Sequence, residues 1–302
     1  MTGRVRGVSF NAGDQWHAGL QQGMLALAQR ARQVDGHPPF NDQMLVDLRN
    51  GAADSVIVAD PSGQTIGAAA ARGSLFELVV DPAQRGNGIG TRLGRASLRR
   101  LLDQGERVAQ TWAHGTLEPA QRLASALHME RSREIHVMVL DPRPHTPAHP
   151  NATDVLIRES TLTAEQMARL NHAAFSTDPD QGSLTTDDIR ARMREPWFHP
   201  QGLLVASSRA GLPVGYCWVK AEPDSTEGEI YALGLVPEAR GKGIGRALLD
   251  AGIDALRAQG RTHIILYVDG ANAAAIMLYQ RRGFHVSSTD TQYTIRSARI
   301  EP

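Results

Sequence analysis

Hydrophobic residues alternate with polar ones, or recur at helical spacing, in two long stretches of the chain. In the second stretch, short apolar segments bounded by turn residues predict strands at 154–160, 202–208, 213–222, 227–236, 262–269 and 291–297. Apolar residues three and four positions apart predict helices at 163–175, 187–195, 243–260 and 272–283, with Pro196 ending the second of these helices.

The first stretch repeats the same order of elements. The hydrophobic pattern predicts strands at 54–60, 64–72, 75–81, 107–113 and 133–140, and helices at 88–103 and 118–127. Most of these strands are joined by short turns, which favours antiparallel neighbours. The sequence therefore predicts an α/β (α+β) fold of two tandem domains, each a mostly antiparallel mixed sheet flanked by helices.

An internal repeat supports this division. At an offset of 155 residues, the segment 82–90 falls on 237–245, so that a proline, an arginine and three glycines coincide. A single repeat of this length indicates two copies of a domain, because solenoid repeats have periods of about 20–50 residues. Residues 141–150 contain four prolines, which prevent helix and central strand. We expect an N-terminal domain at 1–141, a Pro-rich linker at 142–153 and a C-terminal domain at 154–302.

Composition narrows the function classes. Basic and acidic side chains number 32 each, which argues against a nucleic-acid partner. No apolar run approaches the roughly 18 residues of a membrane helix, and the first residues lack the pattern of a signal peptide. Cys217 is the only cysteine, and the 11 histidines show no zinc-ligand spacing, so no metal and no disulfide are expected. These observations favour a cytoplasmic protein without a membrane partner.

The glycine-rich turns at 86–90 and 241–245 carry the candidate chemistry. A strand followed by a glycine turn and a helix gathers backbone N–H groups at a helix N-terminus, where an anion is stabilised. The sequence "RGKGIGRA" lacks the Gly-Lys-Ser/Thr ending of a Walker loop. A dinucleotide fold would require a parallel βαβ unit and a later acidic residue outside the helix. A tight turn that binds no ligand is the alternative interpretation.

The Arg-x-x-Gly-x-Gly pattern resembles the pyrophosphate loop of the GNAT acetyltransferase superfamily. Three further features fit this resemblance: Asn272 at the start of a helix, Tyr279 seven residues later, and the Arg-Gly-Phe that follows the helix. The resemblance implies that the chain binds acetyl-coenzyme A and transfers its acetyl group to an amine. In that superfamily, the asparagine faces the cofactor arm and the tyrosine faces its sulfur.

Acetyl transfer requires a base, a polarised carbonyl and an acid. Glu229 is the candidate base, and strand alternation predicts that Glu229, Tyr231 and Leu233 share one face of the strand. The alternative is that Glu229 is only a solvated carboxylate at the strand edge, as Glu227 is expected to be. Tyr279 is the candidate acid for the departing thiolate, and a core tyrosine is its alternative. A lone cysteine such as Cys217 is usually a buried hydrophobe, so a covalent cysteine mechanism is rejected.

The first copy keeps the glycine turn without the chemistry. At the same offset, Ser74 replaces Glu229, Leu117 replaces Asn272 and Ala124 replaces Tyr279. The first domain is therefore expected to be degenerate and non-catalytic. It is either a ligand site without turnover or a structural relic, and the sequence does not separate these two readings. Trp112 and His114 are expected to end a buried strand.

Within the superfamily, the whole chain resembles the mycothiol synthases, a family of tandem GNAT enzymes. The stretches 33–45, 112–119, 171–184, 215–220 and 228–245 carry this resemblance. It implies that the substrate is a small thiol-sugar, cysteinyl-glucosaminyl-inositol, whose cysteinyl amine is acetylated to give mycothiol.

The resemblance also implies site residues. Substrate contacts are implied at Asp42, Asp180, Lys220, Glu229 and Tyr267. Cofactor contacts in the second domain are implied at Leu233, Gly234, Leu235, Arg240, Gly241, Lys242, Gly243, Ile244, Gly245, Arg246, Asn272, Ala273, Ala274, Ala275, Ile276 and Met277. Cofactor contacts in the first domain are implied at Leu78, Val79, Val80, Gly86, Asn87, Gly88, Ile89, Gly90 and Thr91.

Other interpretations stay open. Asp42 and Asp180 stand where some relatives have glutamate. From the local sequence, Asp42 can instead be an acid at a helix N-terminus beside Asn41, and Asp180 can be a turn residue. The chain can instead acetylate another small-molecule amine or a peptide N-terminus. A non-catalytic acyl-coenzyme A sensor is a different class, which the retention of Glu229, Asn272 and Tyr279 disfavours. The duplication favours a monomer, because one chain already carries two copies of the domain.

Overall fold

The computed structural model describes residues 9–11, 18–49, 53–141, 155–176 and 181–296. The chain divides into two compact units. The first unit combines Met1–Ile135 with Ser288–Pro302, and the second unit is His136–Ser287. The predicted linker at 142–153 lies outside the described residues.

The first unit contains most of the elements of the first half of the chain. In chain order they are β1 (Ser9–Asn11), α1 (Ala18–Asp35), α2 (Asp42–Arg49), β2 (Asp54–Ala59), β3 (Thr65–Arg72), β4 (Leu75–Val80), α3 (Ile89–Asp103), β5 (Val108–Ala113), α4 (Glu118–Ala126) and the start of β6 (Glu130–Leu140). Strand order in this sheet is β1-β2-β3-β4-β5, followed by the last strand of the chain and then β6.

Helices cover both faces of this sheet, because successive side chains of a strand point to opposite faces. Ala68 and Ala70 of β3 pack with apolar residues of α1 and α2. Ala69, between them in sequence, packs with Ile89 and Leu93 of α3. The run of alanines in β3 thus lets a helical layer approach closely on either side.

The second unit repeats this architecture. Its elements are the end of β6, then β7 (Val155–Glu159), α5 (Ala164–Ala174), α6 (Thr186–Arg192), β8 (Leu203–Ser208), β9 (Pro213–Lys220), β10 (Glu227–Leu235), α7 (Ile244–Ala258), β11 (His263–Asp269), α8 (Ala273–Arg282) and the start of β12 (Phe284–Arg296). Strand order is β6-β11-β10-β9-β8-β7, and only β10 and β11 of these last five strands pair in parallel.

Two apolar cores lie on the two faces of this sheet. One core joins α7 and α8 to the sheet through residues such as Leu248, Ile253 and Tyr279. The other joins α5 and the segment after α6 to the opposite face through Met167, Trp197 and Trp218. The mixed, helix-flanked sheet predicted for each half is thus present in both units.

Three features depart from the sequence-based prediction. Residues 288–296 of β12 belong to the first unit, where they pair with β5 from Thr291↔Ala113 to Arg296↔Val108. The cause is the length of β6 and β12, which have 11 and 13 residues and are longer than the hydrophobic pattern suggested. The 18-residue helix α1 was not predicted, and α6 ends at Arg192, before Pro196.

Candidate active site

A β-bulge in β10 shapes the candidate site of the second unit. The ladder between β10 and β9 runs from Glu229↔Lys220 to Ile230↔Val219, and then resumes at Ala232↔Trp218. Tyr231 is therefore an extra residue on β10, and a bulge of this kind bends the strand and shifts its side-chain phase by one.

The bulge corrects the predicted side-chain alternation. Ile230 and Leu233 both pack against the core on the α7 face, whereas Tyr231 packs against the core on the α5 face. Glu229 precedes Ile230 and so points to the α5 face with Tyr231. The expectation that Leu233 shares this face was wrong, because perfect alternation does not allow for an inserted residue.

Three of the predicted substrate residues, Glu229, Lys220 and Tyr267, lie on three adjacent strands. Glu229 has Lys220 as its Cα partner on β9 and Ile265 as its Cα partner on β11, and Tyr267 follows two residues later. Paired residues on neighbouring strands point to the same face of a sheet, so Glu229 and Lys220 are cross-strand neighbours. Tyr267 has 49% of its surface exposed. The carboxylate, the ammonium and the phenol thus border one region of the second unit.

Next to this region, β10 and β11 separate. Their parallel pairing is given by the register Glu227↔His263 to Ile230↔Leu266. Leu233 and Leu235, farther along β10, pack against the same core as Ala275 and Ile276 of α8. The pairing ends before Leu233–Leu235, so an opening between the two parallel strands lies beside these residues, on the side of β10 away from β9.

The glycine turn follows β10 directly. Gly241 and Gly243 have φ of 75° and 77°, in the left-handed region that glycine adopts without cost, and α7 begins at the next residue, Ile244. Gly245 has a different role, since a Cβ there would come within 3.3 Å of Leu235 and 3.6 Å of Leu278. The first two glycines set the turn, and the third lets α7 pack closely against its neighbours.

The cationic residues of the turn divide between structural and exposed positions. Arg240 Nη2 donates to the carbonyl oxygen of Ala174 at 2.9 Å, which ties the turn to the end of α5. Lys242 is exposed, and Arg246 lies 3.9 Å from Asp250, which also binds the buried Arg282. Arg240 therefore holds the turn in shape, whereas Lys242 is exposed to solvent.

Helix α8 carries the last predicted cofactor residues. Asn272 caps its N-terminus, and its side chain accepts a hydrogen bond from Ala275 N at 3.1 Å. Residues Ala273–Met277 form the first turns of the helix, and Met277 is 51% exposed. Tyr279 is only 7% exposed and packs against Phe284 with ring centroids 6.0 Å apart. Burial raises the pKa of Tyr279, so its hydroxyl stays protonated at neutral pH.

Cys217 lies on the inner side of this core. It is fully buried, and burial raises the pKa of its thiol to about 12. A Cβ on Gly252 of α7 would come within 2.5 Å of its Sγ, so the helix packs directly onto the sulfur. A thiol in this environment is not ionised at neutral pH and has the character of a small hydrophobe.

The glycine turn of the first unit borders a cavity of about 450 Å³. Gly86 and Gly88 have φ of 80° and 76°, nearly the same as their counterparts in the second unit. Every residue predicted to contact the cofactor in the first domain lines this cavity except Asn87. In contrast to β10, β4 has no bulge in its ladder with β3, which runs unbroken from Arg72↔Leu75 to Gly67↔Val80.

A buried charge cluster in the first unit was missed from the sequence. Glu77 is fully buried and accepts hydrogen bonds from both N and Nδ2 of Asn41 at 3.0 Å. His114 Nε2 lies 3.5 Å from Glu77, and its Nδ1 lies 2.7 Å from Asp290. Asp290 also accepts a hydrogen bond from Gly115 N at 2.9 Å. No local pattern reveals this cluster, because Asp290 is 176 residues from His114.

His114 makes the stability of the first unit depend on pH. Burial alone lowers its pKa, but Asp290 and Glu77 outweigh burial and raise it to about 9. The charged His114 stabilises the folded state through these two carboxylates. This stabilisation is complete below pH 6.5, the ordinary pKa of histidine, and is lost as pH rises through about 9.

We expect His114→Gln to remove this dependence. Between pH 6.5 and pH 9, the free energy of unfolding of the wild type should fall, relative to that of the variant, by on the order of 3 kcal/mol. Urea titrations of both proteins across this range measure the difference. A constant difference would show that folding does not raise the pKa of His114.

Two substrate residues implied by the resemblance, Asp42 and Asp180, lie wholly or partly outside the described residues. Helix α2 begins at Asp42, and Asn41 caps it, since its Oδ1 accepts from Met44 N at 2.8 Å. The side chain of Asp42 lies outside the described part of the structure, and so does the whole of Asp180.

In the described ranges, no group of three His, Cys, Asp or Glu side chains can hold a metal ion. No helix in these ranges is long and apolar enough to cross a membrane.

A bulged strand followed by a glycine turn and an amphipathic helix defines the class of protein, an acyltransferase. The profile of the Acetyltransferase (GNAT) family matches residues 24–129 and 165–284, and the chain belongs to this family.

Solved structures with the same fold include a GCN5-related N-acetyltransferase from Sphaerobacter thermophilus. Its TM-score is 0.75, and it is 22% identical over 98% of this chain and 96% of that chain. A tandem GNAT protein from the clavulanic acid biosynthesis pathway has a TM-score of 0.72 and is 18% identical over 98% of this chain and 99% of that chain. The predicted tandem GNAT fold is confirmed.

Curated relatives narrow the family further. A mycothiol acetyltransferase of Thermobispora bispora is 38% identical over 91% of this chain and 96% of its own length. A mycothiol acetyltransferase of Beutenbergia cavernae is 36% identical over 91% and 96%. These levels of identity and coverage confirm the resemblance inferred from the sequence motifs.

Proposed function

We propose that the chain transfers the acetyl group of acetyl-coenzyme A to the cysteinyl amine of cysteinyl-glucosaminyl-inositol, the last step of mycothiol formation. The names of the relatives support mycothiol as the product, and the family resemblance found in the sequence implies the acceptor. The observation in this chain that supports it most is the pairing of Glu229 with Lys220 beside the opening between β10 and β11. A carboxylate there attracts the acceptor ammonium, and the neighbouring donors suit a polyol.

Each chemical demand has a residue in this proposal. Glu229 accepts a proton from the acceptor ammonium, directly or through one water, and so frees the amine to attack the thioester. Main-chain N–H groups near Leu233–Leu235 donate hydrogen bonds to the thioester carbonyl as negative charge develops on its oxygen. The C–S bond then breaks, and Tyr279 donates its hydroxyl proton to the departing thiolate. The extra proton on the nitrogen of the new amide passes through water to the tyrosinate, which restores Tyr279. Glu229 and Tyr279 approach from opposite faces of the sheet, with the strand opening between them.

Cofactor binding follows from the glycine turn. The N–H groups of 241–246 and the N-terminus of α7 hold the pyrophosphate, and the first turns of α8 line the cofactor arm. We also propose that the cavity of the first unit binds acetyl-coenzyme A without turnover, because apolar residues stand at the catalytic positions. Without a bulge in β4, Leu75 and not Ser74 lies opposite Arg72 as Glu229 lies opposite Lys220. Leu117 and Ala124 replace Asn272 and Tyr279 in the repeat. The enzyme would act as a monomer in the cytoplasm, where acetyl-coenzyme A is supplied.

The experiment that tests the acceptor is coenzyme A release with cysteinyl-glucosaminyl-inositol, compared with a panel of other amines. The panel contains glucosamine, a cysteine peptide and an aminoglycoside. We expect kcat/KM for cysteinyl-glucosaminyl-inositol to exceed that for every other amine by at least about 100-fold, because several of the site's polar groups would be unpaired with the others. Release only with another amine would reassign the substrate, and no release with any amine would favour the sensor interpretation.

Tyr279→Phe tests the acid. We expect kcat to fall about 100-fold, at the low end for general acid–base catalysis, while the phenyl ring keeps its packing on Phe284. The matched control is Tyr293→Phe, which removes a buried tyrosine hydroxyl from the first unit. Steady-state kinetics and thermal unfolding of both variants provide the measurement. Unchanged turnover in Tyr279→Phe would leave Tyr279 as a core residue.

A further inference from the structure

Four aromatic side chains pack together on the α5 face of the second unit, the face that bears Glu229. Trp197 and Trp218 have ring centroids 6.0 Å apart, and Trp197 lies 5.2 Å from Tyr231. Phe198 packs edge-on against Trp218 at 5.8 Å. We call this set, Trp197, Phe198, Trp218 and Tyr231, the aromatic cluster.

Lys220 lies over one ring of the aromatic cluster. Its Nζ is 5.9 Å from the centroid of Trp197, within the distance at which an ammonium is attracted to an indole face. The side chain of Lys220 is 16% exposed, so this attraction is weakened little by water. Glu222 lies 3.6 Å from the same Nζ, but it is 52% exposed and offers only a weak surface ion pair.

Trp197 itself cannot move freely. It is 7% exposed and is held between Trp218 and Tyr231. Tyr231 is anchored in turn, because its hydroxyl accepts a hydrogen bond from Arg192 Nε at 2.8 Å. A rigid indole thus lies beneath a flexible four-carbon side chain and restricts the positions that its ammonium can take.

We propose that Trp197 is a positioning residue that fixes the Lys220 ammonium for the acceptor. This inference rests on the proposed function, in which Lys220 contacts the acceptor beside Glu229. Trp197 acts through Lys220 and does not touch the reacting atoms. Its effect is therefore on acceptor affinity, and neither proton transfer nor the binding of acetyl-coenzyme A depends on it.

The test measures kcat and both KM values for Trp197→Leu, Trp197→Phe, Lys220→Met and the double variant Trp197→Leu/Lys220→Met. We expect Trp197→Leu to raise the acceptor KM about 5-fold, as loss of a partly desolvated cation–π contact implies. The kcat of Trp197→Leu and its KM for acetyl-coenzyme A should stay within about 2-fold of the wild type. Trp197→Phe should keep most of the wild-type affinity for the acceptor, because phenylalanine also presents an aromatic face to Lys220. In the Lys220→Met background, Trp197→Leu should add less than about 2-fold.

Phe198→Leu is the matched control, because it removes a ring of the aromatic cluster that packs on Trp218 without taking away the ring beneath Lys220. An equal rise of acceptor KM in Phe198→Leu, or an undiminished effect of Trp197→Leu in the double variant, would overturn the inference. If Lys220→Met itself leaves the acceptor KM unchanged, the proposed contact between Lys220 and the acceptor is wrong, and the role of Trp197 fails with it. If Lys220→Met raises it and Trp197→Leu does not, only the role of Trp197 fails.

Discussion

Replacing Glu229 with glutamine lowers kcat by about 1,000-fold, within the range by which general bases accelerate proton transfer. Glutamine keeps the shape of the side chain and its place on β10 but cannot accept a proton from an ammonium. The KM for acetyl-coenzyme A should change little, because Glu229 faces the α5 side of the sheet and the predicted cofactor residues pack on the α7 side.

Glu227→Gln is the control for this result. Glu227 lies two residues earlier on the same strand, is 50% exposed, and pairs with His263 at 3.8 Å. Its replacement should leave kcat unchanged, since it lies farther from the strand opening. Steady-state rates for both variants, measured from pH 6 to pH 9, compare the two carboxylates. A Glu229→Gln enzyme with wild-type turnover would require another base.

Replacing Gly243 with aspartate raises the KM for acetyl-coenzyme A on the order of 100-fold, because a carboxylate then faces the pyrophosphate and hydrogen bonds to a charged group contribute about 1.5–3 kcal/mol each. Gly243 has a φ of 77°, and nothing lies within 4 Å of a Cβ built there. Aspartate and asparagine tolerate this left-handed conformation better than other side chains. Gly243→Asn, which has the same shape without the charge, is therefore the control and should lose much less affinity.

The same pair of substitutions at Gly88 tests the first unit. Gly88 has a φ of 76° and equally open space around it. Calorimetry should find two molecules of acetyl-coenzyme A per wild-type chain and one per Gly88→Asp chain, with kcat of the variant unchanged. A single bound molecule in both proteins would make the first glycine turn purely structural.

Local patterns in the sequence predict a large part of this molecule. The glycine turns are readable because only glycine adopts their backbone conformation without cost, and Asn272 is readable because it caps a helix. The amphipathic helices α3 and α7 follow from apolar spacing, because each buries one face against a sheet.

Features that depend on pairing across the chain are not readable in this way. The bulge at Tyr231 is defined by the register of β10 on β9, and a single strand carries no mark of its partner's register. Asp290 meets His114 only because the end of β12 lies beside β5. Lys220 and Trp197 likewise come together through packing of the segment after α6 onto the sheet.

The division of β12 between the units has a consequence for synthesis on the ribosome. Residues 136–287 contain the whole second unit, so this unit can fold as soon as they have emerged. The first unit, although most of it is made earlier, lacks the strand 288–296 that covers the edge of β5 and supplies Asp290 to His114. The edge of β5 therefore stays exposed, and open to mispairing, until residues 288–296 have emerged. The half that is translated first is thus the half that finishes folding last.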